Sequence, residues 1–251
     1  MKELFMTIDT ETANTLDDPL CYDVGGCIHD EQGKIYKTFS FVVYEIFFQE
    51  LELMKESYFA EKIPQYLKEI ENGSRVVARF FTIKKRIAEM CKNYNVQAII
   101  AHNARFDYKS LSTTQRFLTS SKYRYFLPFG IPVYDTLKMA RNTIVKTEEY
   151  KTFCKKNGFV ARNGNPRATA EVLYKFLTDN LDFVEEHTGL QDTLIEKEIF
   201  VKCLQIDPNV EKNCFTQKIY CACGCPCSMA RINGTCKKTD NKCKWGVLTP
   251  A

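Results

Sequence analysis

The chain has 251 residues, 45% of them hydrophobic and 13% aromatic. That is enough for one large core or for a main domain with a small one, and it excludes a disordered chain. No run of about 18 apolar residues occurs, and the start Met1-Lys2-Glu3 turns acidic too soon for a secretion signal, so a cytoplasmic protein of a bacterial or phage-infected cell, with no membrane partner, is expected.

Charge and cysteine divide the chain. The net charge is +4, yet residues 211–251 hold seven Lys/Arg against two Asp/Glu, while the first 210 hold 28 against 29. Six of the 12 cysteines fall between Cys221 and Cys243. The expected organisation is therefore a near-neutral domain over 1–210 and a basic, Cys-rich tail over 211–251. Clustered thiols in a cytosolic protein point to metal more than to disulfides.

Leu4-Phe5-Met6-Thr7-Ile8 reads as a buried strand, followed by Asp9 and Glu11. Side chains two apart on a strand share a face. Two carboxylates on one face of a buried strand repel each other and are costly to desolvate. A divalent cation with a taste for hard oxygen, Mg²⁺ or Mn²⁺, relieves both problems. Residues 21–28, with Gly25-Gly26, and 35–43 read as two further strands. Joined by short turns, the three make an antiparallel meander, which excludes an ordinary Rossmann opening.

Residues 49–72 read as helical, and 75–94 show helical apolar spacing. Val96 to Ala101 is an apolar strand ending in His102-Asn103. A short turn leads to a helix with Asp107 near its start, where an acid is ordinarily a dipole device but here adds a third carboxylate at a strand end. The Asn103 amide can orient backbone or substrate. Pro132 to Leu137 reads as a short strand entering a helix through Asp135, an N-cap rather than a ligand. Residues 146–168 read as a helix and an exposed loop, and 169–180 as an amphipathic helix. His187 then precedes Asp192 by five, and Asp192 opens a last helix. A histidine in a turn beside an acid is a candidate general base.

Four carboxylates from three stretches plus one His suit two-metal phosphodiester cleavage, with two cations about 3.5–4 Å apart. Asp9 would bridge them, Glu11, Asp107 and Asp192 would complete the ligands, and His187 would take the proton of the attacking water.

Asp9-Thr10-Glu11-Thr12, His102-Asn103-Ala104-Arg105-Phe106-Asp107 and His187-x4-Asp192 together resemble the three exonuclease motifs of the DnaQ-like superfamily in its DEDDh branch, which includes the proofreading epsilon subunit of DNA polymerase III. The resemblance covers about residues 3–205. It implies a ribonuclease H-like α/β fold, a mixed sheet flanked by helices. It implies 3′→5′ removal of nucleoside monophosphates from single-stranded ends with two Mg²⁺ or Mn²⁺ ions. Thr10 and Thr12 match positions that contact the terminal nucleotide, and Asn103 one near the scissile phosphate. Ala13-Asn14 replaces the family's usual Gly after the first motif, so a different turn is expected there.

The tail has no counterpart in the family core. Four of its thiolates, assigned here to Cys225, Cys227, Cys236 and Cys243, would make one Zn²⁺ site and a small metal-binding module. Its basic residues and Trp245 suit nucleic acid or a partner such as a replication polymerase. DNA is the expected substrate. The alternatives are an exoribonuclease, or a nucleic-acid-binding module without turnover.

Overall fold

The computed structural model describes residues 2–119, 126–128 and 130–212. The Cys-rich segment, with Cys225, Cys227, Cys236 and Cys243, lies outside them.

The sheet is assembled around β1 (Leu4–Ala13). On one side β1 pairs antiparallel with β2 (Leu20–Asp30), which pairs antiparallel with β3 (Ile35–Val43). This is the meander that the short polar turns predict. A π-helical turn at Glu45–Gln49, α1 (Leu51–Lys55), a 3₁₀ turn at Ala60–Lys62 and α2 (Ile63–Glu71) follow. The single helical stretch expected over 49–72 is thus broken, and Pro64 opens its second half at the position where a missing N–H costs nothing. The helix expected over 75–94 also starts later. Val76–Ala78 forms β4, parallel to β3, and extended Arg79 caps α3 (Phe80–Asn93). A β-branched pair beside an open strand edge outweighs its fit to a helical pattern.

Next come β5 (Val96–Ala101), α4 (Arg105–Leu118), β6 (Val133–Asp135), α5 (Thr136–Asn142), α6 (Glu148–Lys156), α7 (Ala170–Thr178) and α8 (Gly189–Ile206). β5 runs parallel to β1, and β6 parallel to β5. The strand order is β4-β3-β2-β1-β5-β6. This mixed six-stranded sheet flanked by helices is consistent with a ribonuclease H-like α/β fold. Among the described residues no helix is long and apolar enough to cross a membrane.

Alternation along β1 separates two cores. Met6 and Ile8 join the cluster that holds Phe80, Ile83, Ile87 and Leu111 of α3 and α4. Phe5 joins the cluster of α5 to α8, with its ring 5.1 Å from that of Phe200. The odd-numbered residues of β1 therefore face α8.

α8 sits unusually close to the sheet. A Cβ on Gly25 would lie 1.9 Å from the Gly189 carbonyl carbon, and one on Gly189 would lie 2.6 Å from the Gly25 nitrogen. Backbone touches backbone here, and only glycine on both sides allows it. Gly25→Ala should push α8 off β2 and cost about 1–3 kcal/mol, read as a lower urea midpoint. An unchanged midpoint would mean that this contact is easily relaxed.

Candidate active site

The site forms at the C-terminal end of β1. Asp9 and Glu11 share the β1 face that Phe5 turns toward α8. The β1–β2 register slips just after them, with Glu11 opposite Asp23 but Thr12 opposite Cys21. A bulge at this point re-aims the end of the strand. Beyond it Asn14 adopts φ 68° and donates through Nδ2 to the Asp18 carbonyl. Asn is among the few residues that tolerate this left-handed conformation, so the chain turns here without a glycine.

α8 brings Asp192 and, one helical turn later, Glu196. The helix starts at Gly189, so Asp192 lies within its first turn rather than opening it; the Asp192 N–H donates to the carbonyl of Thr188, the N-cap. From the other side of the sheet α4 brings Asp107. Its Oδ1 accepts from the Thr10 N–H at 3.1 Å and the Thr10 hydroxyl at 2.9 Å. Asp107 is thus tied across to β1 and is not a mere dipole device.

Asp9, Glu11 and Asp192 each offer an oxygen such that the three lie within 4.8 Å of one another. Asp107 stands beside this triad, close enough that its charge acts on Asp9. With Thr10, Asn103, His187 and Glu196 these residues line one cleft of about 900 Å³. Thr12 falls outside that lining. The Thr10 hydroxyl is engaged by Asp107 and Ser110, which makes it a support for the carboxylate.

The turn after β5 is held from below. Asp135 Oδ1 accepts from the Leu137 N–H, as an N-cap does, and also from the Asn103 N–H. Asn103 itself is left-handed, with φ 61°. His102 is spoken for. Its Nε2 meets the Ala168 carbonyl and must donate there, so its Nδ1 accepts from the Thr136 hydroxyl. Burial lowers its pKa to about 4, and the same holds for His29 under Phe200.

His187 is different. It sits at φ 49°, a sparsely populated conformation for a residue with a side chain, and its ring stacks on Phe59 at 4.5 Å. Partial burial, then the Lys62 charge, lower its pKa below the usual histidine value, so it is neutral at pH 7 and able to accept a proton.

The carboxylates are in the opposite condition. Burial raises Glu11 to about 8, Asp107 to about 7 and Asp192 to about 9. Asp9 and Glu196 are pushed well up, first by burial and then by the acids around them. Among the described residues, none of these five carboxylates is in an ion pair. Asp192 Oδ1 and Glu196 Oε2 are buried with no hydrogen-bond partner. Hard oxygen donors, uncompensated charge and orphaned oxygens suit divalent cations such as Mg²⁺ or Mn²⁺.

Three contributors escape the motif reading. Glu196 is legible afterwards as the i+4 neighbour of Asp192. Glu185 lies two residues before His187 and lines the same cleft. Asp23 lies wholly buried opposite Glu11, where its Oδ2 accepts from Tyr66 Oη at 2.7 Å, Arg75 Nη1 at 2.6 Å and the Gly189 N–H at 3.0 Å. It anchors the start of α8, and no local pattern announces it.

No protein-family model matches the chain, and no curated protein matches it in sequence. Solved structures do match it in fold. Escherichia coli exonuclease I, solved with a dT13 oligonucleotide, superposes with a TM-score of 0.50 at 12% identity over 84% of this chain and 42% of that one. Exonuclease I of Methylocaldum szegediense gives 0.50 at 15% identity over 83% and 42%. Cell-death related nuclease 4 gives 0.50 at 9% identity over 82% and 65%. The chain spans under half the length of these exonuclease I chains. At such identities the likeness is one of fold: the architecture described here is one that these nucleases share.

The raised carboxylates predict how metal-free protein responds to pH. Glu11 and Asp192 release their protons near pH 4 when unfolded but hold them to about 8 and 9 when folded. Between those limits the folded state binds more protons, so stability falls as pH rises. In EDTA the melting temperature should drop from about pH 5 to about pH 9, and Mn²⁺ should restore it most at the alkaline end. A melting temperature in EDTA that does not fall with pH would contradict this electrostatic account.

Proposed function

We propose that this chain is a metal-dependent 3′→5′ exonuclease of the DEDDh type, removing nucleoside monophosphates from single-stranded DNA ends by a two-metal mechanism. The observation that carries the proposal is the convergence of Asp9, Glu11 and Asp192 within 4.8 Å, with Asp107 and His187 in the same cleft. The fold shared with exonuclease I agrees with it.

A phosphodiester is an anion and cannot approach a nest of carboxylates unaided. Divalent cations held by Asp9, Glu11, Asp107 and Asp192 would screen that repulsion, acidify water and stabilise the charge on the leaving 3′-oxygen. The chain's own residues do the rest. His187, neutral and stacked on Phe59, takes the proton of the attacking water on a ring nitrogen. Thr10 and Ser110 fix Asp107, and Asp135 fixes the Asn103 turn beside the scissile phosphate. Glu196 adds a further acid behind Asp9 and Asp192.

The α5–α6 side of the cleft is lined by Arg141, Lys146 and Lys151, and Arg167 lines the loop that follows. These cations suit the phosphates of a strand leading to the acidic pole, and the Phe106 ring in the same lining suits a base face. Both features fit single-stranded substrate. A proofreading, repair or replication role, with a polymerase nearby and zinc in the tail, extends this reading.

The test is a 5′-labelled single-stranded DNA and its RNA equivalent, incubated with Mg²⁺, Mn²⁺ or EDTA. Wild type should give a metal-dependent ladder that shortens from the 3′ end, more readily on DNA. Asp9→Asn should lose the ladder while melting no lower than wild type in EDTA, since it removes an acid that the metal-free fold must keep protonated against its ordinary tendency. Folded wild type that cleaves neither strand in Mn²⁺ would refute the enzyme and leave a binding module.

A further inference from the structure

Asp192 belongs to two sets of ligand atoms. With Asp9 and Glu11 it completes the all-carboxylate triad. With Glu185 and His187 it forms a second triad, whose three ligand atoms also lie within 4.8 Å of one another. Asp192 is only 5% exposed, and its buried Oδ1 has no hydrogen-bond partner. Glu185 and His187 are half-buried and line the same cleft. The second triad is held in shape: the His187 ring stacks on Phe59 at an interplanar angle of 18°, and the α8 start that follows His187 is pinned by Asp23 to the Gly189 N–H.

The two triads differ in chemistry. The first offers oxygen alone, which suits a hard ion that keeps much of its water. The second offers an imidazole nitrogen with two carboxylates. Three protein ligands of that kind, with water as the fourth, are what a tetrahedral borderline ion such as Zn²⁺ accepts. Two carboxylates also balance its charge.

We propose that Glu185, His187 and Asp192 form a second cation site, selective for Zn²⁺ or a similar transition ion over Mg²⁺, and that filling it inhibits the enzyme. The bound ion takes the lone pair with which His187 would accept a proton, and it draws Asp192 away from the all-carboxylate triad. The inhibition rests on the catalytic reading of His187 given above; the binding does not.

The experiment uses the full chain in excess Mg²⁺, with zinc chloride as the titrant. Two readouts are followed, the imidazole proton resonances and the rate of single-stranded DNA cleavage. His29 and His102 have both ring nitrogens engaged, and the His187 signal is assigned by its loss in His187→Gln. In wild type, Zn²⁺ should shift the His187 resonance and stop cleavage over the same concentration range. Glu185→Gln, normalised to its own zinc-free rate, should move both midpoints up by at least about tenfold. Any zinc taken up elsewhere on the chain is common to all variants and drops out of that comparison. A His187 resonance unmoved by Zn²⁺, equal midpoints in wild type and Glu185→Gln, or stimulation by Zn²⁺ would each overturn the proposal. If wild type shows no cleavage at all, the catalytic reading fails, and the His187 resonance alone decides whether the site exists.

Discussion

The structure depends on one electrostatic constraint: five carboxylates, four of them buried and Asp9 partly so, crowd together with no ion-pair partner among the described residues. Asp9, Glu11, Asp107, Asp192 and Glu196 cannot all ionise in a dry site, because each charge raises the cost of the next. The fold tolerates the arrangement only with protons or cations there. Evolution rarely keeps such a cost in a structural core, where an apolar residue of similar volume is usually as good. The proposed function takes these acids as its centre, and the rest of the chain holds them in place.

That holding is done largely by backbone. β1 supplies two acids on one face through strand alternation alone. α8 supplies two more through the helical i+4 relation, but only because its start lies against the sheet. Gly25 and Gly189 let the two backbones meet, and buried Asp23 links that start to Tyr66 and Arg75. The Arg75 guanidinium lies 4.1 Å from the Tyr66 ring centre and also meets Glu69. A buried pair of this kind contributes little net stability but fixes one geometry. His187 and Asp192 flank the anchored point, so their mutual position is set by Asp23, Tyr66 and Arg75, which lie outside the cleft lining.

Much of this was legible in the sequence. The meander followed from three apolar strands with short polar turns, and the convergence of Asp9, Glu11, Asp107, His187 and Asp192 followed from their places at strand and helix ends. What was not legible depended on tertiary partners. Val76 and Val77 fit a helical pattern and became strand because β3 offered an edge. The break in 49–72 gave little warning beyond Pro64. Asp23 looks like any polar residue in a strand until Arg75, Tyr66 and Gly189 are brought to it across 43 to 166 residues of chain. Glu196 could have been found by stepping one turn on from Asp192. The Thr10 hydroxyl's bonds to Asp107 and Ser110 likewise depend on α4, about 100 residues away in the chain.

The most direct measurement is anomalous diffraction from crystals soaked in Mn²⁺ at a wavelength near the manganese edge. A peak about 2.0–2.3 Å from carboxylate oxygens of Asp9, Glu11 and Asp192, and absent from Asp9→Asn crystals, is the predicted result. No peak at that position in well-soaked crystals, with the carboxylates unmoved, would contradict the claim that this cluster exists to hold cations.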